Sequence, residues 1–411
     1  MSRRVVITSV GIFSPLGDTF DEILENLKKK TTCFNRLSLD DSPDSDEDPA
    51  ICPIENFNIK KIIAGSFKNR RYLNRGAQFC VASAMMAVKN ANLNKEMLIK
   101  SGVFAGVGPN LDIGGEFPEI VKGEIDRKDL MALWILKFLP NTAASVIAGL
   151  AGIHGENLTL STACAASLQA VGEAYRKIRD GYLDLAFAGG GDSRLSVGGI
   201  LAYKKAHALF SGTGDPRKAS RPFDDNRKGF VPGEGGAFFL LEEMNHAKKR
   251  GAAIYGEICG FGSSIDGHNM TAPDPDGKWS EKAVVDALAE AKMAPFDIDV
   301  ISAHGTSTYL NDAVEAELIS RIYGKKTPFV IALKSWMGHL SAACGAAELA
   351  VCLACMHGGY IPEIRNLENP CHNDINFVLK GRKILFDNIM VENFGFGGQN
   401  SALVVKRKVG V

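Results

Sequence analysis

A chain of 411 residues, 45% of them hydrophobic, can bury a core large enough for two or three structural units without disulfide or metal staples. Lys plus Arg equals Asp plus Glu at 47 each, and a formal net charge of +0 removes the global attraction on which a nucleic-acid binder relies. Nine cysteines, an odd count spread from Cys33 to Cys371, read as reduced thiols, and no apolar run is long enough to span a bilayer, so a cytoplasmic protein is expected.

In chain order, MSRRVVITSVGIFSPLG opens the sequence as a first strand and turn, because its apolar run is short and interrupted at Thr8, Ser9 and Gly11. The acidic, apolar-free stretch Asp40–Asp48 reads as an exposed loop. Buried strands are expected at Arg4–Val10, Gly102–Gly106, Leu158–Ser161, Leu183–Ala188, Phe238–Leu241, Val300–Ala303, Phe329–Leu333 and Ser401–Val405. Helical patterns fall between them at Arg75–Asn90, Leu168–Ile178, Glu281–Ala291, Asp312–Arg321 and Ala346–Met356, and that alternation predicts a layered α/β fold. The sequence also echoes itself. GVFAGVG at Gly102–Gly108 parallels VISAHGT at Val300–Thr306, and the strand-then-helix pattern at Leu158–Ile178 parallels Phe329–Met356, so two similar halves, 1–250 and 251–411, are expected.

Chemistry concentrates at strand ends. Cys164, in STACAAS, sits where a strand turns into a helix, and the free N–H groups at a helix start favour the thiolate, the reacting form of cysteine. A small buried residue beside Ala163, Ala165 and Ala166 is the plainer alternative. His304, in AHGTST, and His339, in KSWMGH, both follow apolar strands, where α/β sheets place ligands; structural hydrogen bonding is the alternative for each. Lys334 is placed to tune these neighbours, and Asp312, Glu315 and Glu348 either anchor them or are solvated helix charges. NFGFGGQN at Asn393–Asn400 resembles a phosphate loop but runs into the strand SALVV rather than a helix, which rules that reading out; its glycines suit close approach or movement, with a plain tight turn as the alternative. Cys352, Cys355, His357, Cys371 and His372 lack zinc-site spacing, so no metal is expected.

Together STACAAS, AHGTST, KSWMGHLSAACGAAE and NFGFGGQN resemble the four catalytic blocks of the β-ketoacyl-acyl carrier protein synthase family, in family order. VVITSVGIFSPLG, SRPFDDNRKGFVPGEGG and LEEMNHAKKRGAAIYGEICGFG extend the resemblance to the elongating type called synthase II over nearly the whole chain. The resemblance implies a thiolase-like fold, with two βαβαβ-type halves in a five-layer αβαβα sandwich, usually homodimeric, although pairing with a related subunit is also possible. It further implies an acyltransferase that loads an acyl chain onto Cys164 and condenses it with a decarboxylating malonyl unit on an acyl carrier protein. His304 and His339 would donate to the malonyl thioester carbonyl, Lys334 would support them, and the N–H groups of Cys164 and Phe396 would form the oxyanion hole. Thr306 and Thr308 would contact the phosphopantetheine arm, which belongs to the carrier, so no cofactor of the enzyme's own is expected. Phe396 would gate the acyl pocket. A non-catalytic chain-length factor generally lacks the cysteine, and a thiolase would carry a second cysteine near its C-terminus, which NFGFGGQN does not. Trp336, Met337, Gln399 and the segment Pro109–Pro140 depart from the family's usual pattern around the acyl pocket. Apart from the resemblance, Lys68, Arg70 and Arg71 cluster ahead of a helical pattern and form a basic patch suited to an acidic carrier protein, with ordinary solvated charge as the alternative.

Overall fold

A computed structural model describes residues 3–38, 48–63, 67–111, 132–324 and 327–407. Nearly all of the expected acidic loop at Asp40–Asp48 and much of Pro109–Pro140 lie outside the described residues.

The framework is one 10-stranded sheet. Its strands are β1 (Val5–Phe13), β2 (Gly102–Val107), β3 (Asn157–Leu160), β4 (Leu185–Ser193), β5 (Glu234–Glu243), β6 (Gly256–Ile265), β7 (Val300–Ser302), β8 (Phe329–Ile331), β9 (Asn388–Gly395) and β10 (Gln399–Lys406). The order across the sheet is β8-β7-β9-β10-β6-β1-β5-β4-β2-β3. Adding five to each label of β1-β5-β4-β2-β3 gives β6-β10-β9-β7-β8, so one topology occurs twice. The pairing directions repeat as well: β4 with β2 and β2 with β3 are parallel, as are β9 with β7 and β7 with β8. The halves meet where Val5–Ile7 of β1 pairs antiparallel with Gly256–Ile258 of β6.

Helices complete five layers. α1 (Arg75–Ala91) packs on β1, β4 and β5, and α3 (Lys278–Ala291) packs on β6 and β10. Between the half-sheets lie α2 (Ala166–Arg179), which touches β2, β4, β5 and β10, and α5 (Cys344–Gly358), which touches both β5 and β9. α4 (Tyr309–Tyr323) packs against α3 on the C-terminal side. Burial on all sides explains why α5 shows no amphipathic stripe: every residue from Cys344 to Met356 is buried. Ser341–Gly358 is the one described helix long and apolar enough to cross a membrane, and its 89% burial makes it the core of the sandwich instead.

All eight expected strands are present, and two more, β6 and β9, had escaped the sequence reading. β6 reads GEICGFGSSI, and interior glycine weakens the strand pattern. Here glycine is required by packing, because a Cβ on Gly262 would lie 1.8 Å from the Ala283 carbonyl oxygen on α3.

The repeat reaches the loops that carry chemistry. Ala163 (φ 49°) opens the short 3-10 turn Ala163–Ala165 before α2, and Ser341 (φ 51°) opens Ser341–Ala343 before α5. Cys164 and Ala342 therefore occupy equivalent positions in the two halves. Gly106, on β2, lets α2 approach the sheet, since a Cβ there would fall 2.4 Å from the backbone of Ala166 and Ser167. Gly106→Ala is expected to destabilise the fold by about 1–3 kcal/mol and to slow alkylation of Cys164, as overpacking displaces the helix start. Gly149→Ala, on an exposed helical position with open space around it, should instead add about 0.5–1 kcal/mol. Urea unfolding of both variants checks the contrast.

Candidate active site

Four chain segments leave the sheet and converge on one cavity of about 510 Å³. β3 leads to Cys164, β7 to His304, and β8 to Lys334 and His339, while β9 and β10 form a tight hairpin whose turn holds Phe396. Each segment arrives from a strand's C-terminal end, the place where parallel α/β sheets bind ligands.

Left-handed Ala163 and the 3-10 turn present Cys164 to the cavity, where its Sγ lies 3.3 Å from His339 Nε2. The tautomers of both histidines follow from their partners. His339 Nδ1 accepts the Ser341 N–H at 2.9 Å, so the ring proton of a neutral imidazole sits on Nε2. His304 Nδ1 faces the Lys334 ammonium at 3.1 Å; an ammonium only donates, so His304 also carries its proton on Nε2. Burial first, and then Lys334, push both imidazoles well below their usual pKa. Two neutral N–H donors result. One ring nitrogen of each and the Cys164 sulfur all lie within 4.8 Å of one another.

Lys334 is 1% exposed, and its three ammonium hydrogens find three acceptors: Glu348 Oε1 at 2.6 Å, the His304 carbonyl at 2.5 Å and His304 Nδ1 at 3.1 Å. Burial alone would discharge this amine, but Glu348, with Cys344 and Glu315, together outweigh it and hold the lysine above its ordinary pKa. Glu348 Oε2 in turn accepts Asn393 Nδ2 at 2.7 Å. Glu315 takes the backbone N–H groups of His304 and Gly305, and Asp312 takes those of Thr306, Ser307 and Phe223. Asp312, Glu315 and Glu348 are buried and are not solvated helix charges: the first two anchor loops, and Glu348 anchors Lys334.

The helix-start argument for a ready thiolate does not survive. Burial pushes the Cys164 thiol up to about 11, although Lys334 and the backbone N–H of Phe396 both favour its ionised form. Cys164 thus rests as a thiol. The N–H of Cys164 itself favours the ionised sulfur as well. The same Cys-His-His cluster has the spacing of a metal site, but the two imidazole nitrogens aimed inward are protonated and a buried ammonium stands behind them, so a dication would be opposed. Cys352 and Cys355 lie buried along α5, as small core residues do.

Thr306 and Thr308 line the cavity with their hydroxyls 2.8 Å apart. Phe396 is half-buried and lines it too, its ring 6.5 Å from that of Tyr203. Trp336 points elsewhere: its indole N–H donates to the Glu363 carbonyl at 2.6 Å and it takes no part in the cavity wall. Lys68, Arg70 and Arg71 are exposed on the short turn Lys68–Tyr72, away from the cavity lining. The sequence reading passed over Asp192, Arg194, Tyr203 and Phe230, all of which line the cavity. The one signal was the pair of charges in GGGDSR directly after an apolar strand.

Replacing Lys334 alone by Met leaves Glu348 buried without its ion and should cost about 3–5 kcal/mol, whereas Lys334→Met with Glu348→Gln should lose much less. With a thiol pKa of about 11, iodoacetamide alkylation of Cys164 should rise about tenfold per pH unit between roughly pH 8 and 10. Since Lys334 lowers that pKa, the double variant should react more slowly at every pH in this range. Chemical unfolding and rates followed by intact mass test both expectations.

With this geometry in place, comparison with known proteins is direct. Residues 2–247 match the family model "Beta-ketoacyl synthase, N-terminal domain", and residues 255–368 match "Beta-ketoacyl synthase, C-terminal domain". The chain is 33% identical over 416 residues to 3-oxoacyl-[acyl-carrier-protein] synthase 2 of Coxiella burnetii, covering 98% of this chain and 99% of that one. A beta-ketoacyl synthase crystal structure from Burkholderia phymatum superposes with a TM-score of 0.91 at 30% identity, covering 99% of this chain and 100% of the other. The structure of a type II PKS acyl-carrier protein in complex with its ketosynthase bound to the hexaketide gives a TM-score of 0.85 at 27% identity, with 100% of both chains covered. Family models spanning both halves, near-full-length identity and the repeated topology agree that this chain belongs to the beta-ketoacyl synthase family.

Proposed function

We propose that the protein is a 3-oxoacyl-acyl carrier protein synthase that lengthens a thioester-bound acyl chain by decarboxylative condensation with a malonyl unit. The observation that carries this reading is the convergence of the Cys164 thiol with one ring nitrogen from each of two neutral histidines, all within 4.8 Å. In the first half-reaction Cys164 sulfur attacks the carrier thioester, the new C–S bond forms as the carrier's C–S bond breaks, and the carrier leaves as a thiol with the proton that Cys164 gives up. The N–H groups of Cys164 and Phe396 take the oxyanion of the tetrahedral intermediate.

Malonyl carrier then enters with its thioester carbonyl oxygen against the Nε2–H groups of His304 and His339. When the carboxylate leaves as carbon dioxide, the electrons of its C–C bond form the enolate, whose oxygen those two N–H groups stabilise. The enolate carbon attacks the acyl-Cys164 carbonyl, a C–C bond forms as the C–S bond breaks, and the departing Cys164 thiolate takes a proton from solvent to regain its resting thiol form. Lys334 positions His304 and fixes its tautomer. Thr306 and Thr308 meet the carrier's phosphopantetheine arm, and the chemistry uses no metal or cofactor bound to this chain. Phe396, between Gly395 and Gly397 in the hairpin turn, closes the acyl side until loading.

The acidic carrier protein docks on the exposed patch of Lys68, Arg70 and Arg71. A homodimer, or a pair with a related subunit, buries the exposed Leu133, Ile135 and Leu139 together with Leu158 on the sheet-edge strand β3; light scattering reads that state. The nine free thiols suit a reducing compartment such as the cytoplasm.

Cys164→Ala should lose acyl loading entirely while changing stability by less than about 1.5 kcal/mol. His304→Ala and His339→Ala should load Cys164 yet fail to release carbon dioxide from malonyl carrier, and Phe396→Ala should broaden the range of chains that load. Intact mass and carbon dioxide release separate these outcomes, and loading without Cys164 would refute the proposal. Reversing all three patch charges to Glu should slow carrier association about tenfold or more at low salt and flatten its salt dependence, which stopped-flow mixing measures.

A further inference from the structure

His339 touches two thiols, one at each ring nitrogen. Nε2 lies 3.3 Å from Cys164 Sγ, and Nδ1 lies 3.6 Å from the sulfur of Cys344, the first residue of α5. Phe230 covers the ring between them, with centroids 4.7 Å apart. The condensation steps use only the first of these contacts.

Cys344 is 1% exposed, and His339 is the one hydrogen-bond partner of its thiol among the described residues. Burial pushes that thiol well above its ordinary pKa, against the pull of Lys334, so it keeps its hydrogen. Nδ1 accepts the Ser341 N–H and carries no hydrogen of its own, which makes Cys344 the donor in the second contact. The two donors to Nδ1 fix different things. Ser341 stands two residues from His339 in the same loop, so its N–H sets the tautomer without tying that loop to anything else. Cys344 opens a helix that is buried from Cys344 to Met356, and its contact fastens the ring to the centre of the sandwich.

The hydrogen bonds also run in one direction. Cys344 S–H donates to Nδ1, and Nε2–H faces the Cys164 sulfur. Donation into one imidazole nitrogen polarises the ring and strengthens the N–H on the other side. A stronger donor there favours ionised Cys164, and it favours the enolate oxygen by the same rule. The repeated framework does not itself require a thiol at this place, since Ala166 opens α2 at the equivalent position of the first half. Resting on the condensation reading, we propose that Cys344 is a positioning residue that acts through His339, holding the ring and strengthening the N–H that it turns toward Cys164 and the malonyl carbonyl.

Cys344→Ala removes the donor, and a thermal melt verifies its fold. Iodoacetamide alkylation of Cys164, followed on its own peptide, should slow about two- to threefold, and carbon dioxide release from malonyl carrier should fall by a similar factor, as expected for loss of a weak S–H donor. Infrared spectroscopy reads the contact itself. The S–H stretch of Cys344, isolated as the difference between wild-type and Cys344→Ala spectra, should lie at lower frequency than the same difference taken in a His339→Phe background. A band that stays in place when His339 is replaced would overturn the inference, as would a folded Cys344→Ala protein whose Cys164 alkylates at the wild-type rate. If wild-type protein releases no carbon dioxide while the band and the alkylation rate change as expected, the positioning of His339 by Cys344 stands and the condensation reading fails.

Discussion

A single buried ammonium organises the centre of this protein. Lys334 holds His304 through its ring nitrogen and its carbonyl, and reaches through Glu348 to Asn393 on β9. Removing an ion pair from water is expensive, and the expense is offset only when every donor and acceptor is matched. Here the three hydrogens of the ammonium meet three acceptors. After burial, that same charge helps keep His304 and His339 neutral; it also sets the His304 tautomer and lowers the cost of ionising Cys164. One interaction therefore acts on an imidazole and a thiol at once.

The twofold topology explains how such a centre can be buried at all. Two half-sheets close on α2 and α5 and bring strand ends from both halves to one cavity, so the site draws its groups from segments far apart in sequence. The repeat also makes an asymmetry visible. Both halves keep a left-handed residue and a 3-10 turn before the central helix, but one places Cys164 there and the other Ala342, whose N–H is held by Asp192. The second half differs: its strands deliver the histidines and the lysine, and its turn Ser341–Ala343 holds no thiol.

Electrostatics divides the cavity along the same line. The side from the C-terminal half offers two neutral donors suited to a developing enolate, while the side from the N-terminal half carries the neutralised ion pair of Asp192 and Arg194. Cys164 lies between them with its thiol protonated at rest. Burial holds that proton, while Lys334 and the N–H groups of Phe396 and Cys164 pull the other way.

Much of this was legible in the chain. Apolar runs and helical spacing gave the α/β alternation, the echo between Gly102–Gly108 and Val300–Thr306 announced the repeat, and four short blocks named the thiol, the histidines and the lysine. These are local patterns, and local patterns survive in a linear string. β6 was hidden because its glycines answer to α3 packing, which no window of sequence contains. The thiol's protonation, both tautomers and the Asp192–Arg194 pair belong to tertiary structure alone. Cys164 and His339 are 175 residues apart yet 3.3 Å in contact, and burial, which set the pKa of each, exists only after the halves have closed. The sequence placed the thiol, the imidazoles and the lysine at strand ends; folding decided their charge states and what surrounds them, because both depend on distances that the order of residues does not encode.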